Sequence, residues 1–377
     1  MTGSFSNSFL PTALFKPLRK TFPYVIAVGG GKGGVGKSSI AMMIGLYLAE
    51  KGKETVLIDA DLTGANLHGY LGVCGAAETV HSFLKGSSTK LTALMQPTSF
   101  NHLSAIVGSL DMNCAEGHSC YDARRLLRGL SELPVDYVVM DLGAEGSAIE
   151  IDLFLAANTG LIVSSNDSMS LHNVFNFIRS ALLRKIRKQW RGQGDLQERL
   201  SQFIQETDTK GAMSLEQAFR EWGYDVDWVR SVTQTVCPKM ILNMSERTDS
   251  AEALQALRIS ISRLLSIRLD FWGPVCREDL VRRAIRGFNP RLLCEANNRA
   301  FADIHQIMDR HLQKSQVMPA LLAAEPISSR KQGVKNFYRG TLCSTRCLAW
   351  RSCSLKDGGM PCAMQPIEVL RREACYA

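Results

Sequence analysis

The chain has 377 residues, with 45% hydrophobic and 21% charged side chains. That is ordinary for a globular protein and long enough for one large α/β domain with an appendage, or for two domains. No apolar run approaches the roughly 20 residues of a membrane-spanning helix, and a net charge of +8 leaves nucleic acid, an anionic membrane or plain solvent as the facing medium.

In chain order, residues 1–22 place basic side chains after apolar ones, the reverse of a secretory signal, and read as a disordered leader. A cytoplasmic, reducing location follows, with a peripheral place at the inner membrane as one option. In that setting the 11 cysteines are thiols or metal ligands rather than disulfides. Residues 24–28 (YVIAV) form a short, β-rich apolar run that predicts a buried parallel strand. GGGKGGVGKSS follows (Gly29 to Ser39), and then SSIAMMIGLYLAEK (38–51) predicts a helix with Ile40, Ile44, Tyr47 and Leu48 on one face and Gly52 as its stop. A glycine-rich segment between strand and helix fits the P-loop pattern, Gly31-x4-Gly36-Lys37-Ser38. Gly31, Gly33, Gly34, Val35 and Gly36 offer backbone N–H groups to phosphate, with Ser39 following. Lys37 reaches the terminal phosphates, and the Ser38 hydroxyl ligates Mg²⁺.

A second buried strand (55–59) runs into DADLTGANLHGYLGV, which puts Asp59 and Asp61 at its carboxyl end, where open α/β sheets bind ligands. One carboxylate can hold the metal's water shell and the other can orient an attacking water; capping a turn is the simpler role. A strand at 103–107 comes next, and then one at 136–141 whose YVVM ends in Asp141, a Walker B pattern for a metal carboxylate. Further strands are expected at 160–165, 239–243 and 270–275. The alternation predicts an α/β fold: a doubly wound, mostly parallel sheet flanked by helices, over residues 23–312.

Residues 174–191 predict a basic amphipathic helix. Phe175, Ile178, Leu182 and Ile186 form its apolar stripe, and Arg179, Arg184, Lys185, Arg187, Lys188 and Arg191 are its cations. It offers a surface to DNA, to an anionic membrane or to neither. Residues 192–237 interrupt the sheet pattern as a helical insertion. Residues 313–341 read as a linker, and 342–377 as a cysteine-rich tail. In that tail Cys343, Cys347, Cys353 and Cys362 supply four soft ligands for Zn²⁺ or an iron–sulfur cluster, or remain free thiols.

KGGVGKSS, DADLTGANLHGYLG and VVMDLG, in this order, resemble the MinD/ParA class of P-loop ATPases, whose mark is a lysine before Gly-Gly in the phosphate loop. The resemblance covers about Tyr24 to Leu312. It implies ATP and Mg²⁺ as cofactors, with Ser38, Asp59 and Asp141 on the metal and Lys32, Lys37 and Asp61 in hydrolysis. It also implies that Lys32 crosses an ATP-dependent homodimer to the partner's nucleotide, and that Asn243 reads the adenine. Asn166-Asp167 stand where such proteins carry Pro-Glu. The expected activity is an ATP-hydrolysing dimerisation switch of the MinD/FlhG type that places a cellular structure, with a regulatory partner stimulating hydrolysis. The alternatives are a ParA-like DNA partition ATPase and an Mrp-like iron–sulfur carrier.

Overall fold

The computed structural model describes residues 22–61, 67–73, 78–86, 90–108, 120–144, 146–190, 195–209, 213–246 and 251–312. The leader, the linker and the four tail cysteines lie outside the described residues.

Eight strands form one sheet in the order β3-β4-β2-β5-β1-β6-β7-β8. The strands are β1 (Tyr24–Gly29), β2 (Thr55–Ala60), β3 (Gln96–Pro97), β4 (Leu103–Ile106), β5 (Tyr137–Leu142), β6 (Thr159–Ser164), β7 (Lys239–Ser245) and β8 (Asp270–Cys276). All pairings are parallel except β3 with β4. The central strands are apolar without alternation because both their faces are covered. In β1, Val25 and Ala27 enter one core, and Ile26 and Val28 enter the other.

The Ile26 face is covered by α1 (Lys37–Glu50), α2 (Leu67–Tyr70), α11 (Asp279–Arg286) and α12 (Arg299–His311). Burial of α1 goes beyond the single face expected: Met42, Met43 and Leu46 are buried together with Ile40, Ile44 and Leu48. Gly45 lets this helix press onto β2, since a Cβ there would lie 2.9 Å from Leu57. The helix ends as the sequence implied, at a Gly52 with φ +68°. The Val25 face is covered by α3 (Val80–Lys85), α4 (Cys120–Ser131), α5 (Ala148–Ala156), α6 (Ser168–Gln189) and α10 (Glu252–Leu265).

Between α6 and β7 the chain forms α7 (Leu196–Thr209), α8 (Leu215–Glu221) and α9 (Val226–Gln234). Aromatic rings knit these helices to the end of α6. Trp190 lies 5.0 Å from Tyr224 and 5.1 Å from Trp228, and Phe219 lies 5.4 Å from Trp222, all in tilted or edge-on geometries.

The basic helix differs from its sequence reading. It begins earlier, at Ser168, capped by Asp167, and its buried stripe is Val174, Phe177, Ile178, Ala181, Leu182, Leu183 and Ile186, with Phe175 only half-buried. Its described cations are largely bound within the fold, and Arg191 lies outside the described residues. Arg184 and Lys188 both bind the buried Asp152 of α5, at 2.5 Å, Lys185 donates to the Thr235 carbonyl at 3.0 Å, and Arg179 is 7% exposed. The charge that looked available to an external polyanion is largely engaged within the fold. Among the described residues no helix is long and apolar enough to cross a membrane.

Candidate functional site

The loop between β1 and α1 is packed hard from behind and open in front. A Cβ at Gly30 would meet the Val163 carbonyl oxygen at 2.7 Å, one at Gly31 would strike the Asn173 carbonyl, and one at Gly36 would strike the Asn243 side-chain amide. At Gly34, whose φ is +77°, a Cβ would meet nothing within 4 Å. Gly36 caps α1 with φ +87° and no side-chain hydrogen bond, and the first turn carries no acidic residue. By contrast α3, α5, α6, α8, α9 and α12 are capped by the side chains of Thr79, Ser147, Asp167, Ser214, Asp225 and Asn298. The amino end of α1 thus presents backbone N–H groups and the positive end of its dipole to an open loop, as an anion site requires.

Lys37, the first residue of α1, is 8% exposed, and its ammonium donates to the Lys32 carbonyl at 3.2 Å. Burial lowers its proton affinity, against the pull of Asp141, Asp61 and Glu150. Asp59 and Asp141 are cross-strand neighbours on β2 and β5 and are both buried. Burial, with Asp59 beside it, pushes the Asp141 carboxyl up to about 8 despite a hydrogen bond from Ser38 and the charge of Lys37. Asp141 Oδ1 has no hydrogen-bond partner. Asp59 also braces the backbone, accepting from the N–H groups of Asp61 (3.3 Å) and Leu67 (3.0 Å). Two adjoining buried carboxylates, one with an orphaned oxygen, and the Ser38 hydroxyl make a donor set that fits a hydrated divalent cation of the Mg²⁺ kind.

Lys32 lies on the other side of the loop. Its ammonium contacts Asp167 Oδ1 at 3.3 Å and Ser170 Oγ at 3.1 Å at the amino end of α6. Asn243 sits within β7, which runs two residues past the expected end, and donates its side-chain N–H to the Val35 carbonyl at 2.9 Å. Val35 and Ser39 are buried behind the loop.

The structure therefore brings Gly31, Lys32, Gly33, Gly34, Val35, Gly36, Lys37, Ser38, Ser39, Asp59, Asp61, Asp141 and Asn243 to one end of the sheet. Two further residues lie there: Asp167, noted in the sequence only as standing in place of the Pro-Glu pair, and Glu150 of α5, 2% exposed, which the motif reading missed. Both have a sequence signal, since each stands in the first turn or at the cap of a helix in a Ser/Asp-x-x pattern.

Residues 21–187 match the profile of a ParA family described as "NUBPL iron-transfer P-loop NTPase". The antiactivator FleN of Pseudomonas aeruginosa is 28% identical over 158 residues, 41% of this chain and 55% of FleN. An iron–sulfur cluster carrier protein of Synechocystis is 40% identical over 78 residues, 21% of this chain and 20% of the carrier. The chain thus spans between a fifth and just over half the length of these relatives. Among solved structures, the septum site-determining protein MinD of Pyrococcus horikoshii, complexed with Mg-ADP, superposes with a TM-score of 0.52 at 17% identity, covering 79% of this chain and 100% of that one. A ParA family ATPase of Chlorobium tepidum gives 0.52 at 14% identity.

The mostly parallel sheet, with a glycine loop between its central strand and a buried helix, defines a P-loop NTPase fold. Within that class the chain is similar to the ParA family over residues 21–187.

Proposed function

We propose that this protein binds ATP with Mg²⁺ at the glycine loop and hydrolyses it as a dimerisation switch. The observation that carries the reading is the uncapped amino end of α1 with buried Lys37 beside the orphaned oxygen of Asp141. Backbone N–H groups of residues 31–38 hold the phosphates, and Lys37 supplies the fixed cation. Ser38 and Asp141 hold the metal, with Asp59 behind them. Bound Mg²⁺ offsets phosphate charge, which is what it contributes to hydrolysis. Asp61 orients the attacking water. Lys32 leaves Asp167 and crosses to the nucleotide of a second copy, where it offsets the repulsion between facing phosphates. Asn243, whose amide donates to the Val35 carbonyl, reads the adenine in this proposal.

In this reading residues 23–312 are the ATPase domain, 192–237 a helical insertion, 313–341 a linker and 342–377 a separate tail. The protein works in the cytoplasm, and a partner protein sets the hydrolysis rate and with it the placement of a cellular structure. A DNA-partition role draws less support, since the cations of α6 are engaged internally.

The test is calorimetry with ATP and Mg²⁺, followed by light scattering. Wild type binds ATP and dimerises. Lys37→Ala does not bind, Lys32→Ala binds but stays monomeric, and Asp61→Ala binds and accumulates as a dimer. Unchanged ATP affinity in Lys37→Ala removes the reading.

A second reading, an iron–sulfur carrier, is favoured by the carrier relatives together with four cysteines within residues 343–362. The match to the Synechocystis carrier covers 78 residues, so the cysteines must be tested on their own. Protein purified without oxygen is compared with a Cys347→Ser/Cys353→Ser variant. Visible absorbance near roughly 400 nm supports a cluster, colourless stoichiometric zinc supports a structural site, and neither metal discards the idea.

A further inference from the structure

Glu150 is the third residue of α5, and its carboxylate points into the protein rather than to solvent. It accepts the Ser147 N–H at 2.8 Å, while Ser147 Oγ accepts the Glu150 N–H at 3.4 Å. This reciprocal cap explains a glutamate here, but not its burial at 2% exposure. The other carboxylate oxygen, Oε1, lies over Gly143: a Cβ built there would collide with it and would come within 3.0 Å of Asp61 Oδ1. Gly143 opens the loop that leads from Asp141 to α5, and Ser147 closes it. One buried carboxylate therefore touches both ends of this loop and shares the space over Gly143 with Asp61. Its charge also acts on Lys37.

We propose that Glu150 is a positioning residue for ATP hydrolysis: its carboxylate bears on Gly143 and Ser147, the two ends of the loop, and its charge, beside Asp61 in the space over Gly143, sets how closely the Asp61 carboxylate approaches. The physical basis is like-charge exclusion in a buried site. Asp61 Oδ1 already borders that space, and a second carboxylate there keeps it from moving closer to Gly143. Glycine at 143 follows from the same crowding. The inference rests on the ATPase reading above.

A cap-only role and a positioning role separate experimentally. Glu150→Gln keeps the size and the acceptor for Ser147 N–H but loses the charge, whereas Ser147→Ala weakens the cap and keeps the charge. The expected result for Glu150→Gln is a kcat lower by about tenfold or more, with KM and the calorimetric ATP affinity within about threefold of wild type. Ser147→Ala lowers thermal stability and leaves kcat within about twofold. Gly143→Ala slows turnover in the wild-type background and costs much less in a Glu150→Ala background, because the severe collision is gone and only the 3.0 Å approach to Asp61 remains. Deuterium uptake of loop 143–147 in the nucleotide-free protein rises in Glu150→Ala and in Gly143→Ala. Wild-type kcat in Glu150→Gln, or additive effects of Gly143→Ala and Glu150→Ala, overturns the proposal alone. A wild type that binds no ATP overturns the ATPase reading with it.

Discussion

Lys32 and Asp167 meet across the front of the phosphate loop, with ammonium and carboxylate 3.3 Å apart. The aspartate is held by more than the lysine. It caps α6 through the Ser170 N–H (2.9 Å) and accepts from the hydroxyls of Ser165 (2.6 Å) and Ser170 (2.5 Å), and these bonds, more than Lys32, hold its carboxyl far below the usual carboxylate range. Both partners are well exposed, so the pair holds Lys32 by only about 0.2–1 kcal/mol. Such a tie is weak enough to give up in the proposed crossing to a second copy.

Asp167→Asn removes the charge and keeps a good helix cap. With only its Ser170 contact left, Lys32 would cross more readily in the proposed dimer, and ATP-dependent dimerisation is expected to tighten by about two- to fivefold. Sedimentation with ATP measures this, and the difference shrinks as salt screens the pair. A weaker dimer would mean that Asp167 assists the crossing.

Asp141 keeps an unpartnered buried oxygen next to Asp59. Asp141→Asn relieves that pair, so the nucleotide-free protein gains about 1–2 kcal/mol of stability. The same change removes a proposed metal carboxylate, so added Mg²⁺ and ATP are expected to raise the melting temperature less than in wild type. Thermal denaturation with and without Mg²⁺ and ATP gives both signs in one experiment.

Asp152 ties α5 to α6 through Arg184 and Lys188. Burial pushes its carboxyl up, but hydrogen bonds from Arg184 and Lys188 outweigh that and leave it lowered. A lowered folded value means stability that is complete above the ordinary carboxylate range and lost as pH falls through the folded value. Asp152→Asn therefore costs about 2–3 kcal/mol at neutral pH, discounted for the partial exposure of Lys188. The difference from wild type closes in acid. Denaturant titrations at neutral and at low pH test this; a gap that widens in acid contradicts it.

Asn243 donates to the carbonyl of Val35 from a buried position, and its amide fills the space a Cβ at Gly36 would need. Asn243→Ala leaves that carbonyl without its donor and the loop unbraced, which weakens ATP binding by about five- to tenfold, equivalent to about 1 kcal/mol. Calorimetry measures it, and wild-type affinity would remove the bracing role.

The sheet was legible because both its faces are covered. Runs such as YVIAV and YVVM have no polar face to obscure them, and their positions agree with β1 and β5 to within a residue or two. The site was legible where spacing alone carries it, from Gly31 to Ser38 and at Asp59, Asp61 and Asp141. What escaped depends on contacts between distant segments. Strand β3 is two residues long and has no period to read. The cations of α6 have the same pattern whether they face solvent or Asp152, which lies 32 residues earlier than Arg184. Glu150 shows in sequence as half of a capping box with Ser147, but only the approach of Gly143 reveals where its carboxylate points.

The aromatic cluster of the insertion determines what light will report. Of the five tryptophans, Trp190, Trp222 and Trp228 sit together around Phe219 and Tyr224, while Trp272 stacks on His311 at 5.1 Å. Among the described residues no tryptophan lies in the phosphate loop, in α1 or in loop 143–147. The fifth, Trp350, lies outside the described residues; the emission of Trp190, Trp222 and Trp228 gauges how α7, α8 and α9 hold to the end of α6. A fluorescence melt follows the loosening of that helical cap, and a flat emission trace on adding ATP is what a filled loop with an unmoved insertion would give.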